Sequence, residues 1–196
     1  MTNTKAVQIK LDETARLLYH PKFIPLNKSN DLLNQWTDEL HWVQSKIKLF
    51  GQQRAIPRLN AWYGEKPYSY SGVNFTSRAW TPEMLDIKQR IESFTQSQFN
   101  SVLANYYRNG QDCMGWHSDD EKSLGENPLI ASVSLGATRR FTIRNKSNKS
   151  DKQELPLEHG SLLLMLGTTQ ADWQHAIPRT KKCQAKRINL TFRTIV

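Results

Sequence analysis

The sequence predicts an α+β protein whose core is a double-sheet jelly roll with N-terminal helices packed on it. Helical periodicity is confined to the first half of the chain. From Phe99 onward the chain breaks into short segments of alternating polarity separated by turn signals. The 196 residues contain no second region of different composition, which fits one domain.

Ser29 is placed to cap a first helix, with Leu32, Leu33, Trp36, Leu40 and Val43 at helical spacing. Thr81 followed by Pro82 opens a second, with Met84, Ile87, Ile91 and Phe94 on one face. Between them, Arg58 to Trp80 is aromatic and turn-rich and reads as hairpins and loops. Strands are expected at 102–107, ending in the Asn109-Gly110 turn, and at 129–135, 138–144, 161–166 and 186–195. The polar stretch 145–152 reads as a hairpin loop. Residues 1–50 read as an extension packed on the core, and 51–196 as the functional domain.

Hydrophobic content of 38% and charged content of 23% are globular values. No apolar run reaches about 18 residues, so no membrane-spanning helix is expected. The start has no signal-peptide character, which points to the cytoplasm, or to the nucleus if the source is a eukaryote. Cys113 and Cys183 read as two reduced thiols. The net charge of +9 and pI near 9.6 favour a polyanionic partner, most simply a phosphate backbone.

His117-Ser118-Asp119 sets an imidazole and a carboxylate at i and i+2, which point the same way in extended backbone. The best third ligand is His175, in Trp173-Gln174-His175. Two histidines and one carboxylate on one face of an ion form the facial triad of non-haem iron(II) oxygenases. Zinc hydrolysis is an alternative for the same residue types. The C-terminal strand carries Arg187, Asn189, Thr191 and Arg193 on one face and Ile188, Leu190 and Phe192 on the other. Inside a jelly-roll cleft two arginines need anionic partners, and a small dicarboxylate gripped by planar forks supplies them. Asn105 and Tyr107 form a second polar pair whose strand leads to His117. A metal with a diacid is what a 2-oxoglutarate oxygenase requires. A protein-side-chain hydroxylase and a non-catalytic nucleic-acid-binding module are the rival readings.

Four segments resemble the AlkB family of Fe(II)- and 2-oxoglutarate-dependent nucleic-acid demethylases. They are 100–109 (Asn-Ser-Val-Leu-Ala-Asn-Tyr-Tyr-Arg-Asn), 116–121 (Trp-His-Ser-Asp-Asp-Glu), 130–137 (Ile-Ala-Ser-Val-Ser-Leu-Gly-Ala) and 187–193 (Arg-Ile-Asn-Leu-Thr-Phe-Arg). Residues 61–65 and 170–175 look closest to the branch that favours single strands. The likeness runs from about Arg58 to the C-terminus. It implies a double-stranded β-helix, with iron held by His117, Asp119 and His175. It implies 2-oxoglutarate held among Asn105, Tyr107, Arg187, Asn189, Thr191 and Arg193, with dioxygen as the oxidant. It further implies a substrate lid containing Trp62, Tyr68 and Tyr70, whose aromatics stack on an extruded base. Glu121 matches the family's base-contacting acidic position. The expected substrate is methylated single-stranded DNA or RNA, acted on by a monomer. Arg139, Arg140, Arg144, Lys181 and Lys182 are candidate phosphate contacts.

Overall fold

The computed structural model describes residues 5–49, 51–66, 68–70 and 73–196. In chain order the elements begin with β1 (Val7–Lys10), β2 (Ala15–His20), α1 (Leu26–Glu39), β3 (Lys46–Leu49), β4 (Gln52–Ala55) and β5 (Leu59–Gly64). Then come β6 (Tyr68–Tyr70), β7 (Val73–Phe75), α2 (Pro82–Thr95), β8 (Ser101–Tyr107), β9 (Met114–His117) and β10 (Ile130–Gly136). The chain closes with β11 (Arg139–Asn145), β12 (Lys152–Leu157), β13 (Ser161–Gly167), the short α3 (Thr169–Asp172), β14 (Trp173–Ile177) and β15 (Arg187–Arg193).

Two antiparallel sheets face each other, as a jelly roll requires. The larger has seven strands in the order β1-β2-β13-β10-β15-β8-β5, and the smaller four in the order β12-β11-β14-β9. Each central strand of the larger sheet is covered on both sides. Ile188, Leu190 and Phe192 of β15 turn toward α1 and α2, packing with Trp36, Met84, Ile87 and Ile91. On the opposite side a second core joins the sheets through Tyr107, Ile130, Phe141, Ile143, Met165 and Trp173. The polar residues of β15 therefore face the space between the sheets, since neighbouring side chains alternate across a strand.

Helix α2 starts as the sequence indicates: the Thr81 hydroxyl accepts from the Met84 N–H at 3.2 Å, and Pro82 takes the first turn. Helix α1 differs. It begins at Leu26, directly after Pro25, whose φ of −56° already suits a helix entry. Ser29 lies within it, fully buried, and donates to the Ile24 carbonyl rather than capping. Leu40 turns out of the helix in extended conformation, and Val43 is exposed in a bridge to Asn60.

Two parts of the larger sheet come from segments read otherwise in the sequence. Residues 59–64 form its edge strand β5, paired with β8 along six positions, while β6 and β7 make the expected hairpin. Residues 7–20 supply β1 and β2, so a division at residue 50 separates strands hydrogen-bonded in one sheet. Asp12, in the β1–β2 turn, accepts from the Trp173 indole at 2.7 Å and so braces the strand that carries His175. Among the described residues no helix is long and apolar enough to cross a membrane.

Candidate active site

The smaller sheet supplies the metal-ligating side chains. His117 ends β9 and pairs across the ladder with His175 of β14, ring centroids 4.3 Å apart. Asp119 follows two residues after His117, and the ligand atoms of all three lie within 4.8 Å of one another. His175 Nε2 is 4.0 Å from Asp119 Oδ2. The Phe141 ring stacks on His175 at 5.3 Å and fixes its plane. His117 Nδ1 lies 2.9 Å from the Gly115 carbonyl, which can only accept, so Nδ1 carries the proton and Nε2 keeps its lone pair.

The protonation states suit a cation. Burial would raise the Asp119 pKa, but Arg193, His117 and His175 outweigh it and hold the carboxyl at about 2. Burial, with the neighbouring positive charges, pushes His175 down to about 3; burial also lowers His117. The centre is one carboxylate and two neutral imidazoles, the donor set of a facial triad.

The larger sheet supplies the opposite wall. β15 and β8 are neighbours in register, with Arg187 opposite Tyr107 and Asn189 opposite Asn105. One cleft is lined by the metal set and by all six of these polar residues: Asn105, Tyr107, Arg187, Asn189, Thr191 and Arg193. Their tasks divide. Arg193 finds its anion within the protein, donating to Asp119 Oδ1 at 2.5 Å and tying the two sheets together. Asn189 Nδ2 donates to Ser132 Oγ and the Val133 carbonyl, and its Oδ1 accepts from Thr191, so this pair braces the wall. Arg187 is 1% exposed and donates from Nη2 to Ser134 Oγ at 2.9 Å, with the Tyr107 ring 5.0 Å from the guanidinium carbon. Its Nε and Nη1 are buried without a hydrogen-bond partner. Buried guanidinium donors facing a cleft call for an acceptor from outside the protein. The residues thus fit both an iron(II) ion and a dicarboxylate.

Other expected positions fall differently. Trp62 is 2% exposed, packed among Leu103, Leu124 and Ile195, and its indole donates to the Lys66 carbonyl. It offers no open ring face for a base; its place on a strand paired with β8 turns it into core. Tyr68 and Tyr70 belong to the β6–β7 hairpin, but their side chains lie outside the described residues. Glu121 is half-buried, two residues beyond Asp119, while Asp120 pairs with Lys146 at 3.1 Å. Arg139 is no surface contact: it is buried and donates to the carbonyls of Asn109, Asp112 and Pro178.

Residues not singled out in the sequence complete the site. Arg58, 6% exposed, donates from Nε to Asn105 Oδ1 at 2.8 Å, which turns the Asn105 amide nitrogen away from it. Gln170 accepts from the Asp119 backbone N–H at 2.8 Å. Ser132 and Ser134 interrupt an apolar strand at i and i+2, a pattern visible in the sequence; nothing local to Arg58 or Gln170 announces their roles.

The chain matches the profile of the 2OG-Fe(II) oxygenase superfamily over residues 16–193, so the class is that of an Fe(II)- and 2-oxoglutarate-dependent dioxygenase. It is 42% identical over 202 residues to the human protein named alpha-ketoglutarate-dependent dioxygenase alkB homolog 3, covering 96% of this chain and 70% of that protein. It is 34% identical over 216 residues to the Arabidopsis thaliana DNA oxidative demethylase ALKBH2, covering 96% and 69%. The solved structure of OsALKBH1 superposes with a TM-score of 0.63 at 18% identity over 91% of this chain and 97% of that one, which shows the shared fold. The chain belongs to the AlkB family within this superfamily. Its cofactor is Fe(II), and its cosubstrates are 2-oxoglutarate and dioxygen.

Proposed function

We propose that this enzyme removes methyl groups oxidatively from N-alkylated bases of the 1-methyladenine and 3-methylcytosine type, in DNA and also in RNA, as alkylation-damage repair. A relative at 34% identity is named a DNA oxidative demethylase, and one at 42% an alpha-ketoglutarate-dependent dioxygenase alkB homolog. Iron with 2-oxoglutarate and dioxygen would supply the oxidation of the methyl carbon, with succinate, carbon dioxide and formaldehyde as products. The protein's part is placement. His117, Asp119 and His175 hold the metal; Arg187 takes the distal carboxylate of the cosubstrate; Arg193 keeps Asp119 ionised and aimed. Both sets come from one chain, which supports action as a monomer.

The observation that carries the substrate reading is Glu121. It is a half-buried carboxylate two residues from a metal ligand, in a protein of net charge +9. Bases methylated at N1 of adenine or N3 of cytosine are cations, and a carboxylate close in sequence to the metal ligands would favour them and accept from the exocyclic amine. Preference for single strands follows from the segment before α2. Residues 66–78 carry aromatic and polar side chains but no long apolar wedge, and opening a duplex costs a few kcal/mol unless the gap is filled. The test uses one oligonucleotide containing 3-methylcytosine, alone and annealed to its complement at matched salt. Faster turnover of the free strand is expected; equal turnover would remove the strand preference. Glu121→Gln should lower turnover of 3-methylcytosine more than of neutral 3-methylthymine, and equal losses would remove Glu121 from base recognition.

A further inference from the structure

A second buried guanidinium stands beside the cosubstrate cleft and has no part in holding the metal. Arg139 opens β11 in the smaller sheet and is 2% exposed. Its guanidinium carbon lies 5.7 Å from the centroid of the Tyr107 ring, and that of Arg187 lies 5.0 Å from the same centroid. The two carbons are therefore within about 11 Å of each other. Tyr107 and Arg187 line the cleft, whereas Arg139 is not among its lining residues.

Arg139 has its hydrogen bonds but not a matching charge. Nη1 donates to the Asn109 carbonyl at 3.2 Å, and Nη2 to the carbonyls of Asp112 and Pro178 at 2.9 and 2.8 Å. Carbonyls satisfy N–H donors yet carry no net charge. Among the described residues Arg139 has no salt bridge. The Asp112 carboxylate is taken by Arg108, whose backbone N–H, Nε and Nη2 donate to it at 2.9, 2.7 and 2.8 Å. Arg187 is in a similar condition, donating to the neutral Ser134 hydroxyl. Two buried guanidiniums thus share one aromatic ring, and like charges repel strongly where water is scarce. Burial first, and the charge of Arg139 after it, pull Arg187 below the usual arginine range. Asp112 feels the same field: burial would raise its carboxyl, but Arg108 and Arg139 hold it below the usual carboxylate range.

We infer that Arg139 is a selectivity residue for the cosubstrate: its charge, acting across Tyr107, favours an acid with a second, distal carboxylate over one with a neutral tail. The inference rests on the placement of that carboxylate at Arg187 given above. One carboxylate there faces two guanidiniums, so it attracts both and offsets their mutual repulsion. A monoacid with the same keto-acid end gains from neither. Unit charges about 11 Å apart, at an effective dielectric constant of about 20, attract enough for about tenfold in affinity. The effect belongs to the charge of Arg139, while the three carbonyl contacts only fix where that charge sits.

The test titrates the Mn(II)-loaded full chain calorimetrically with 2-oxoglutarate and with 2-oxovalerate, which has the same keto-acid end and a methyl group in place of the distal carboxylate. The quantity read is the ratio of the two Kd values, 2-oxovalerate over 2-oxoglutarate. Arg139→Gln should lower this ratio by about tenfold. Arg139→Lys keeps the charge but not the planar fork, and should hold the ratio within about twofold of wild type. Asp112→Asn removes a negative charge that offsets Arg139 and should raise the ratio. It leaves the Arg139 hydrogen bonds in place, since the one to Asp112 goes to its carbonyl, and so decides the matter even where Arg139→Gln fails to fold. Parallel loss of both ligands in the two Arg139 variants, with the ratio unchanged, would make Arg139 a structural clamp and overturn the inference. So would a ratio that Asp112→Asn leaves unchanged or lowers. Arg187→Met tests the underlying placement separately, and its ratio should fall below that of Arg139→Gln. If it keeps the wild-type ratio, the distal carboxylate is not held at Arg187, and the Arg139→Gln ratio still decides whether Arg139 selects the diacid.

Discussion

Arg187→Met separates a cosubstrate anchor from a structural arginine. Arg187 sits in the centre of β15 with Nε and Nη1 unpaired, and its burial pulls its pKa below the usual arginine range. A buried arginine matched by the protein's own carboxylate costs about 3–5 kcal/mol when the pair is broken. For a domain of this length that is a fall of very roughly 6–20 °C in Tm, at about 2–4 °C per kcal/mol. Arg187 has no such carboxylate among its contacts. Its loss forfeits one hydrogen bond to Ser134, about 1.5–3 kcal/mol, and relieves a buried charge, about 1–4 kcal/mol. The Tm of the cosubstrate-free variant should therefore stay within a few degrees of wild type. The response to 2-oxoglutarate should differ sharply. At 100 times Kd, binding stabilises wild type by about 2.7 kcal/mol, or roughly 5–11 °C. Removing charge-assisted hydrogen bonds worth about 1.5–3 kcal/mol each weakens binding by about tenfold or more per bond, and the gain should vanish at that concentration. The assay is thermal denaturation with Mn(II) in place of Fe(II), with and without 2-oxoglutarate. A large fall in the cosubstrate-free Tm together with an intact 2-oxoglutarate response would refute the argument.

His175→Ala should keep the fold but lose Mn(II) binding and turnover, since two ligands hold the ion loosely; near-wild-type turnover in Fe(II) would exclude His175 from the centre. Asp119→Asn should also lose metal and, by taking the carboxylate from Arg193, destabilise by about 3–5 kcal/mol, read from urea denaturation. Trp62→Ala should destabilise by about 3–5 kcal/mol through the cavity it leaves, also by urea; a stable variant with weakened oligonucleotide binding would instead make Trp62 a base platform. The metal-free protein should lose stability as pH falls below about 6.5. His175 stays neutral in the fold down to about 3, while the unfolded chain takes up its proton near 6.5, so acid favours the unfolded state. Asp119 adds to the loss from about pH 3.8 downward, where the unfolded carboxylate begins to take up its proton, until pH falls below its folded value of about 2. A denaturation midpoint that does not change between pH 7 and 5 would contradict the buried neutral imidazole.

The alternation of β15 determined much of this protein in advance. Ile188, Leu190 and Phe192 against Arg187, Asn189, Thr191 and Arg193 require one apolar and one polar face, because the side-chain period of a strand is two. The i, i+2 spacing of His117 and Asp119 likewise fixes their shared direction from local geometry alone. Such periodic signals also placed β8, β10, β11, β13, β15 and the start of α2, but not β9, β12 or β14. What local pattern could not decide is who meets whom across the fold. Arg187 and Arg193 look equivalent in sequence, yet Asp119, 74 residues earlier, pairs with Arg193, while among the described residues no carboxylate meets Arg187. Trp62 reads as an aromatic in a lid until pairing with β8 buries it. Arg139 reads as a surface cation until the carbonyls of three distant residues enclose it. Burial and hydrogen-bond partners are properties of long-range packing, and a charge or a ring carries no local mark of whether solvent or another strand will cover it.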